Sequence, residues 1–417
     1  LSPYLPHRAV GHGGGVAVFQ MLQALRAHHE LRVLCFRRRG EEGAERDLQE
    51  MGIGVDTVPF RSDRDQGVAR LALMADRLPR RLASAVEGTP YWAWRYRHGG
   101  LRRRLDQVVE QWRPDAVQVE YFALAPYCRH LRRRRPPGAS GPLVVLDTIE
   151  VETLVRMRRL LAAAPGPERW WRDHRLRRIR RYEAAACGWA DLVLTVSEQD
   201  TQVLRGLTGA SHVETFPLGV PSEDLPHARP DFAPPPRLLF VGSFAHPPNR
   251  EAALWMARHL MPALAERRPD VVCEIAGREP PEELRRRAAD SGGRLVVHGF
   301  VEDLDALFHR AWLFTAPLWS GGGIKIKILE ALGRGAPVLT TGIGLDGIDA
   351  PVGEAVARAD GPEDFTARVL ALLEDPAVLA DQATAGRAWV HRRHGWAALA
   401  RRHADLLERA RRDLRGA

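Results

Sequence analysis

The residues with the clearest chemical potential form one short stretch in the last third of the chain. Three consecutive glycines, Gly321 to Gly323, are followed by Lys325 and Lys327, and Glu330 comes three residues later. Lys325 and Lys327 are the only lysines among the 61 basic residues of the chain, and all the others are arginines. An ammonium group and a guanidinium group bind phosphates differently, so lysine at these two positions alone indicates a specific role.

The spacing of this stretch predicts an anion site. A strand ends near Ala316, and a glycine turn can bring bare backbone N–H groups close to an anion before a helix begins near Ile326. Two ammonium groups there would hold a diphosphate, and the Glu330 carboxylate would accept hydrogen bonds from ribose hydroxyls. The alternative is a loop that only turns the chain, with lysine and glutamate paired on the surface. Neither the GxxxxGK[ST] loop nor a GxGxxG motif after the first strand is present.

The elements around this stretch follow the pattern of mainly parallel α/β sheets, in which short apolar runs alternate with longer amphipathic segments. The predicted strands are 31–36, 116–119, 143–146, 192–196, 237–242, 271–276, 295–298, 313–316 and 337–341. The predicted helices include 16–28, 101–111, 251–264, 281–290 and 363–374. Because Leu1 is followed at once by a Pro-rich turn, we expect a first strand upstream of this sequence.

Length and composition predict two domains, since 417 residues exceed what one core usually holds. We predict an N-terminal domain over 1–220, a Pro-rich hinge over 221–236, a nucleotide-binding domain over 237–382 and a C-terminal helical segment over 383–417. The carboxyl ends of two such sheets would face each other across a ligand cleft. The C-terminal helix would pack on the surface or cross back to the first domain.

The rest of the composition narrows the class of protein. Four widely spaced cysteines and no CxxC pair argue against a disulfide framework and a zinc site, which fits a cytoplasmic protein. No apolar run reaches the ~18 residues of a membrane-spanning helix, and no secretory signal is visible. The net charge of +9 comes from scattered arginines. We interpret most of them as solvated faces rather than a nucleic-acid groove, with peripheral contact to an anionic membrane as the alternative.

The motifs of the second half resemble the retaining nucleotide-sugar glycosyltransferases of the GT-B fold, in particular family four (glycosyl transferases group 1). The segment from Gly321 to Val338 is similar to that family's glycine loop, basic pair, LEA helix and G-x-PV strand. Further segments agree in order: Gly13–Gly15, Arg181–Glu183, Ala190–Val193, Val196–Asp200, Phe216–Val220, Phe240–Ser243 with Pro248–Asn249, Ile275–Gly277, Gly299–Val301 and Ile343–Gly347.

The resemblance implies roles for particular residues. Lys325 and Lys327 would hold the donor diphosphate and Glu330 the ribose, while backbone groups at Phe300 and Val301 would meet the nucleobase. The other donor-binding residues that it implies are Gly14, Gly15, Gly242, Ser243, Gly321, Gly322, Gly323, Ile324, Ile328 and Leu329. The donor would be a nucleoside diphosphate sugar, with UDP or GDP as the expected nucleotide, and no further cofactor or metal is expected.

Two positions differ from the family pattern. Many members carry a glutamate eight positions before the ribose-binding one, and Gly322 stands there. Many also carry a histidine after the strand that corresponds to 143–146, whereas this chain has Asp147 and Glu150. We predict that one of these acids takes part of that catalytic role; the alternative is a helix cap or a surface charge.

The resemblance implies sugar transfer to an acceptor hydroxyl with retention of anomeric configuration, in bacterial polysaccharide, glycolipid or natural-product biosynthesis. The acceptor would be a carbohydrate, a lipid-linked intermediate or a small molecule, and nucleic acid is not an expected partner. Because the paired lysines supply positive charge, a metal would be redundant. The alternatives are a GT-B epimerase acting on sugar nucleotides and a catalytically silent protein that binds sugar nucleotides or nucleic acid.

Overall fold

The computed structural model describes residues 1–7, 13–60, 89–135, 141–149, 151–161, 166–222, 224–228 and 232–416, with residues 79, 81, 83, 84, 86 and 87. The chain divides into two compact units. The first contains Leu1–Pro217 and Leu399–Ala417, and the second contains Leu218–Ala398.

The strands of the first unit are all parallel and form two groups. The first group is β1 (Arg32–Arg37) with β2 (Gly54–Pro59), and the second is β3 (Ala116–Glu120), β4 (Leu143–Thr148), β5 (Leu192–Thr195) and β6 (Val213–Thr215), in that order. The Ser2 N–H donates to Leu34 O (3.0 Å) and the Glu120 N–H donates to Leu1 O (2.9 Å). Leu1 and Ser2 therefore extend the sheet between the two groups.

Helices flank these strands, as the parallel arrangement requires. They are α1 (Gly13–Leu25), α2 (Arg46–Gln49), α3 (Tyr91–Trp94), α4 (Gly99–Trp112), α5 (Ala125–Arg134), α6 (Glu152–Leu161), α7 (Pro167–Cys187) and α8 (Glu198–Thr208). Local sequence fixes the ends of α8, because the Ser197 hydroxyl accepts from the Asp200 N–H and Gly209 adopts a left-handed conformation (φ 67°). All six residues of β4 are buried, as expected of a strand covered on both faces.

The second unit is built on one six-stranded parallel sheet. Its strands are β7 (Arg237–Val241), β8 (Val272–Ala276), β9 (Leu295–Gly299), β10 (Leu313–Ala316), β11 (Val338–Thr340) and β12 (Ala357–Arg358), and their order across the sheet is β12-β11-β10-β7-β8-β9. Its helices are α9 (Pro247–Trp255), α10 (Met261–Arg267), α11 (Glu282–Ala289), α12 (Asp305–Arg310), α13 (Ile326–Arg334), α14 (Pro362–Leu373) and α15 (Pro376–His394). A π-helical turn, Met256–Leu260, separates α9 from α10.

The strands predicted from the sequence are confirmed with small shifts at their ends. The structure adds β2, β6 and β12, which are short or lie at the edges of their sheets. The single helix that we predicted over 251–264 is instead α9, the π turn and α10.

The segment predicted as a hinge, 221–236, lies within the second unit. The Ala228 N–H donates to Arg334 O (2.7 Å), and the Trp312 indole N–H donates to Ala233 O (3.0 Å). The C-terminal segment forms α15 and α16 (Trp396–Gly416), and from Leu399 onward it belongs to the first unit. The division of the chain thus falls at Pro217/Leu218 and Ala398/Leu399 rather than at the predicted hinge.

None of the helices in the described part of the chain is long and apolar enough to cross a membrane. All four cysteines are buried with free thiols.

Candidate functional site

The carboxyl edge of the second sheet contains a point where the chain changes direction. From β7 the chain continues to β8 and β9 on one side, and then returns to place β10 and β11 on the other side of β7. The loops that follow β7 and β10 therefore diverge and leave a crevice, which is where open parallel sheets bind ligands. Gly242 and Ser243 follow β7, and the glycine-rich stretch follows β10.

Lys327 lies in the first turn of α13 and reaches back to the end of β7. Its half-buried side chain places Nζ 4.7 Å from the centre of the Phe240 ring, and Nζ donates a hydrogen bond to Asn249 Oδ1. The Asn249 amide nitrogen in turn donates to Ser243 O (2.8 Å). A Cβ on Gly242 would lie 2.6 Å from Nζ, so glycine is what allows the amine this close to the strand end.

Burial in this position changes the acidity of the amine. Burial and, to a smaller extent, the positive charge of Lys325 lower the pKa of Lys327 to about 7, whereas Glu330 opposes the shift. Burial likewise raises the pKa of Glu330, against the opposing effects of Arg334 and Lys327. An anion placed beside Nζ would reverse the shift of the lysine, because a nearby negative charge favours the ammonium form.

The loop between β10 and α13 has the backbone shape that the glycines predict. Gly321 (φ 110°) and Gly323 (φ 72°) both adopt conformations that favour glycine. Lys325 is the residue before α13, and its Nζ donates to Gly323 O (2.6 Å), which folds the side chain back over the loop. The Ile328 N–H donates to Lys325 O (2.8 Å), so the N–H groups of Ile326 and Lys327 precede the first hydrogen bond of α13, at the end of a helix where anions bind.

The loops after β7, β8 and β9 lie against one another at the same edge. The Gly242 N–H donates to Ala276 O (3.0 Å) and the Gly277 N–H donates to Gly299 O (2.6 Å). A Cβ on Gly277 would lie 1.9 Å from Gly242 O, so this close contact requires glycine. Backbone packing rather than side chains therefore brings the three loops together.

An aromatic surface lies beside these loops. Phe300 follows β9, is 60% exposed, and its ring is covered by the Arg278 guanidinium at 4.3 Å. An exposed ring with a stacked guanidinium can hold a nucleobase by stacking. Val301, in contrast, is partly buried against the core.

The predicted residues of the second unit thus differ in what they offer a ligand. Lys325, Lys327, Glu330, Gly242, Ser243, Phe300 and the loop from Gly321 to Ile324 lie at the carboxyl edge or at the start of α13. The side chains of Ile328 and Leu329 are fully buried in the core, so they can support the site but cannot touch a ligand. Asn249 and Arg278 were not predicted as site residues. The Pro248–Asn249 motif was the only sequence signal for either.

The predicted site residues of the first unit are Gly14, Gly15, Asp147 and Glu150. Gly14 lies in the first turn of α1, where a Cβ would lie 2.0 Å from the Tyr121 hydroxyl, and Gly15 is buried. The Tyr121 hydroxyl also forms a hydrogen bond with that of Tyr4. Glu150 lies outside the described residues.

Asp147 is buried at the end of β4, opposite Glu120 on β3, so the alternative of a helix cap or surface charge is wrong. The Gln118 amide nitrogen donates to Glu120 (2.8 Å) and to Asp147 (3.2 Å). Burial raises the pKa of Glu120 to about 7. Burial and the neighbouring Glu120 raise the pKa of Asp147 well above its usual value. The structure therefore shows two carboxyl groups that share a buried position, which the sequence reading did not foresee.

The fold is shared with solved glycosyltransferase structures. Sucrose-phosphate synthase from Thermosynechococcus elongatus superposes with a TM-score of 0.67 at 17% identity, covering 98% of each chain. HepE from Anabaena in complex with UDP gives 0.65 at 14% identity, covering 98% of this chain and 99% of that one. WaaG, a glycosyltransferase involved in lipopolysaccharide biosynthesis, gives 0.59 at 15% identity, covering 97% and 99%. The chain therefore has the GT-B fold.

Sequence comparison relates the second unit to a known family. Residues 235–375 match the family model described as glycosyl transferases group 1. A phosphatidyl-myo-inositol mannosyltransferase from Mycolicibacterium smegmatis is 30% identical over 162 residues, which cover 37% of this chain and 40% of that protein. An uncharacterized 44.6 kDa protein in the cps region of Klebsiella pneumoniae is 27% identical over 139 residues, covering 32% and 36%. The chain thus spans about two fifths of the length of these relatives.

Proposed function

We propose that the chain is a retaining glycosyltransferase, which moves a sugar from a nucleoside diphosphate donor to an acceptor hydroxyl. The observation that carries the proposal is Lys327, whose amine lies at the crevice between the β7 and β10 loops with Lys325 and the start of α13 beside it. The family match of residues 235–375 supports the same class of reaction.

The geometry suits stabilisation of a leaving diphosphate. Breaking the bond between the anomeric carbon and the diphosphate oxygen leaves negative charge on that oxygen, so groups that bind this charge lower the barrier. Lys327, Lys325 and the first N–H groups of α13 would supply that stabilisation from fixed positions. Glu330 would accept hydrogen bonds from the ribose, and Phe300 with Arg278 would stack on the base.

We propose UDP or GDP as the nucleotide of the donor. Structures of HepE with UDP and with UDP-glucose support the uridine nucleotide, since HepE shares this fold. For the acceptor we propose a carbohydrate or a lipid-linked intermediate in bacterial envelope or polysaccharide synthesis. The relatives named as a mannosyltransferase of phosphatidyl-myo-inositol and as a lipopolysaccharide enzyme support that choice. We further propose cytoplasmic action with peripheral contact to an anionic membrane.

Replacing Lys327 by Ala tests the proposal. Loss of its charge should reduce turnover by about 10²–10³, or about 2–4 kcal/mol of barrier, because the amine would stabilise charge that develops in the transition state. The measurement is release of nucleoside diphosphate and transfer of sugar from a panel of UDP and GDP sugars. Arg286→Ala removes one positive charge from the exposed face of α11 and serves as the matched control.

The same assay separates the alternatives. An epimerase would convert the donor without an acceptor, and a silent binding protein would bind the donor without turnover. Gly322, which places a bare and exposed backbone where many relatives have a glutamate, favours the silent protein as the second candidate. Unchanged turnover in the Lys327→Ala variant would contradict the proposed site.

A further inference from the structure

Helix α7 exposes two neighbouring indole side chains at its N-terminal end. Trp170 and Trp171 are each 59% exposed, and their ring centres lie 5.3 Å apart in an edge-to-face arrangement. The His174 ring stacks on Trp170 with centres 5.9 Å apart. A pair of adjacent tryptophans with this much exposed area is unusual on a protein surface and indicates a binding surface.

The packing of α7 fixes the direction in which these indoles point. Leu176, Ile179 and Tyr182 are buried on its inner side, and the Tyr182 hydroxyl donates to Phe122 O (2.8 Å). Helical spacing puts Trp170, His174, Arg177 and Arg181 at positions i, i+4, i+7 and i+11 of the opposite side. The outer side is therefore aromatic at its N-terminal end and basic along the rest of its length.

Helix α7 carries a strong excess of positive charge. It contains seven arginines and three acidic residues. Of the acids, Glu183 is buried and accepts from the Glu152 N–H (2.8 Å), Glu168 pairs with Arg172 (2.6 Å), and Asp173 pairs with Arg177 (2.9 Å). Arg180 and Arg181 are exposed and leave the outer side positively charged.

We propose that this outer side of α7 is the surface with which the protein docks on an anionic lipid bilayer. The indoles would enter the headgroup region, where tryptophan is favoured, and the guanidinium groups would contact lipid phosphates. The inference rests on the peripheral membrane contact in the proposed function and names the surface that makes it. It would hold the first unit against the bilayer that carries a lipid-linked acceptor.

Two other occupants fit the observations less well. A second copy of the chain would bring two basic helix faces together, which like-charge repulsion opposes. Single-stranded nucleic acid stacks successive bases on aromatic faces, but the planes of Trp170 and Trp171 are inclined at 79° and do not offer a continuous platform. An anionic bilayer offers a headgroup region to the exposed indoles and lipid phosphates to the surrounding positive charge.

Vesicle flotation with the full chain tests the proposal. The vesicles contain phosphatidylcholine alone or with about 30 mol% phosphatidylglycerol, at an ionic strength of about 0.15 M. We expect the wild type to bind the anionic vesicles and to bind the neutral ones at least about tenfold more weakly. Trp170→Ala with Trp171→Ala, and separately Arg180→Glu with Arg181→Glu, should each reduce binding to anionic vesicles by about tenfold or more.

The matched control is Arg285→Glu with Arg286→Glu on α11, which makes the same charge change on an exposed face of the second unit. Its binding should stay within about threefold of the wild type. Equal loss in the control and the α7 variants would overturn the proposal, as would wild-type binding to single-stranded RNA but not to vesicles. Sugar transfer to a soluble acceptor is measured in parallel. Absence of vesicle binding by the wild type together with normal transfer contradicts the docking surface, whereas absence of transfer in the wild type contradicts the proposed reaction.

Discussion

At the scale of single residues, the acidity of Lys327 links donor binding to pH. Burial lowers the pKa of this amine to about 7 in the free site, and the negative charge of a bound diphosphate would raise it again. Below pH 7 the amine is charged before and after binding, so it adds no pH dependence to the affinity there. Above pH 7 the free site loses the proton, and binding must take it up.

We therefore predict that affinity for a nucleoside diphosphate sugar falls as pH rises above about 7, by up to about tenfold per pH unit. Calorimetric titrations in buffers of different ionisation enthalpy would measure both the affinity and the proton uptake. Lys327→Ala should bind weakly at every pH and take up no proton. A pH-independent affinity in the wild type would contradict the role of this amine.

Asp147 leads to a second prediction at this scale. The raised pKa of this buried carboxyl means that the folded protein holds a proton which the unfolded chain has already lost, so its contribution to stability falls as pH rises from about 4. Asp147→Asn removes that effect and should stabilise the first unit at pH 8 by about 1–3 kcal/mol, with little change at pH 4 to 5.

Chemical denaturation at the two pH values measures the effect of Asp147→Asn. Asp405→Asn alters an exposed carboxyl of the same unit, and its free energy of unfolding should stay close to the wild type at both values. A variant that is destabilised at pH 8 would show that Asp147 is stabilising as a charged group.

At the scale of elements, two glycines at the carboxyl edge of the second sheet have different functions. A Cβ on Gly242 would meet the end of the flexible Lys327 side chain at 2.6 Å, whereas a Cβ on Gly277 would meet Gly242 O at 1.9 Å. The first contact can be relieved by moving the amine, but the second requires two loops to separate.

We predict that Gly242→Ala weakens donor binding by about tenfold with less than about 1 kcal/mol loss of stability, because it displaces Nζ. Gly277→Ala should instead destabilise the second unit by about 1–3 kcal/mol, because it displaces backbone. Thermal unfolding and donor titration on both variants separate the two effects. Similar stabilities of the two variants would mean that the loops are not held by this contact.

The strands and the lysine stretch could be predicted because their signals are local. Apolar runs such as 313–316 identify buried strands on their own, and the glycines with Lys325 and Lys327 are adjacent in sequence. Asn249 and Arg278 could not be predicted as site residues, since they reach the site only when the loops after β7, β8 and β10 converge. The pairing of Asp147 with Glu120 likewise depends on the register of β3 and β4.

At the scale of the whole molecule, the source of positive charge distinguishes two routes to sugar transfer. Some sites bind the leaving diphosphate through a divalent metal held by acidic side chains. In the part of the chain that the structure describes, no three His, Cys, Asp or Glu residues are grouped so that they could hold a metal ion. Lys325 and Lys327 already lie at the crevice and would supply the charge directly.

We therefore predict that a chelator leaves transfer unchanged, because the ammonium groups stabilise the leaving group without a metal. The measurement is initial rate in excess EDTA against the rate with added Mg²⁺ or Mn²⁺, with donor and acceptor held constant. Lys327→Ala provides the internal control, since addition of metal should restore part of its activity if charge alone was lost. A wild-type rate that falls to background in EDTA and returns with metal would show that a divalent ion, rather than the two lysines, stabilises the departing diphosphate.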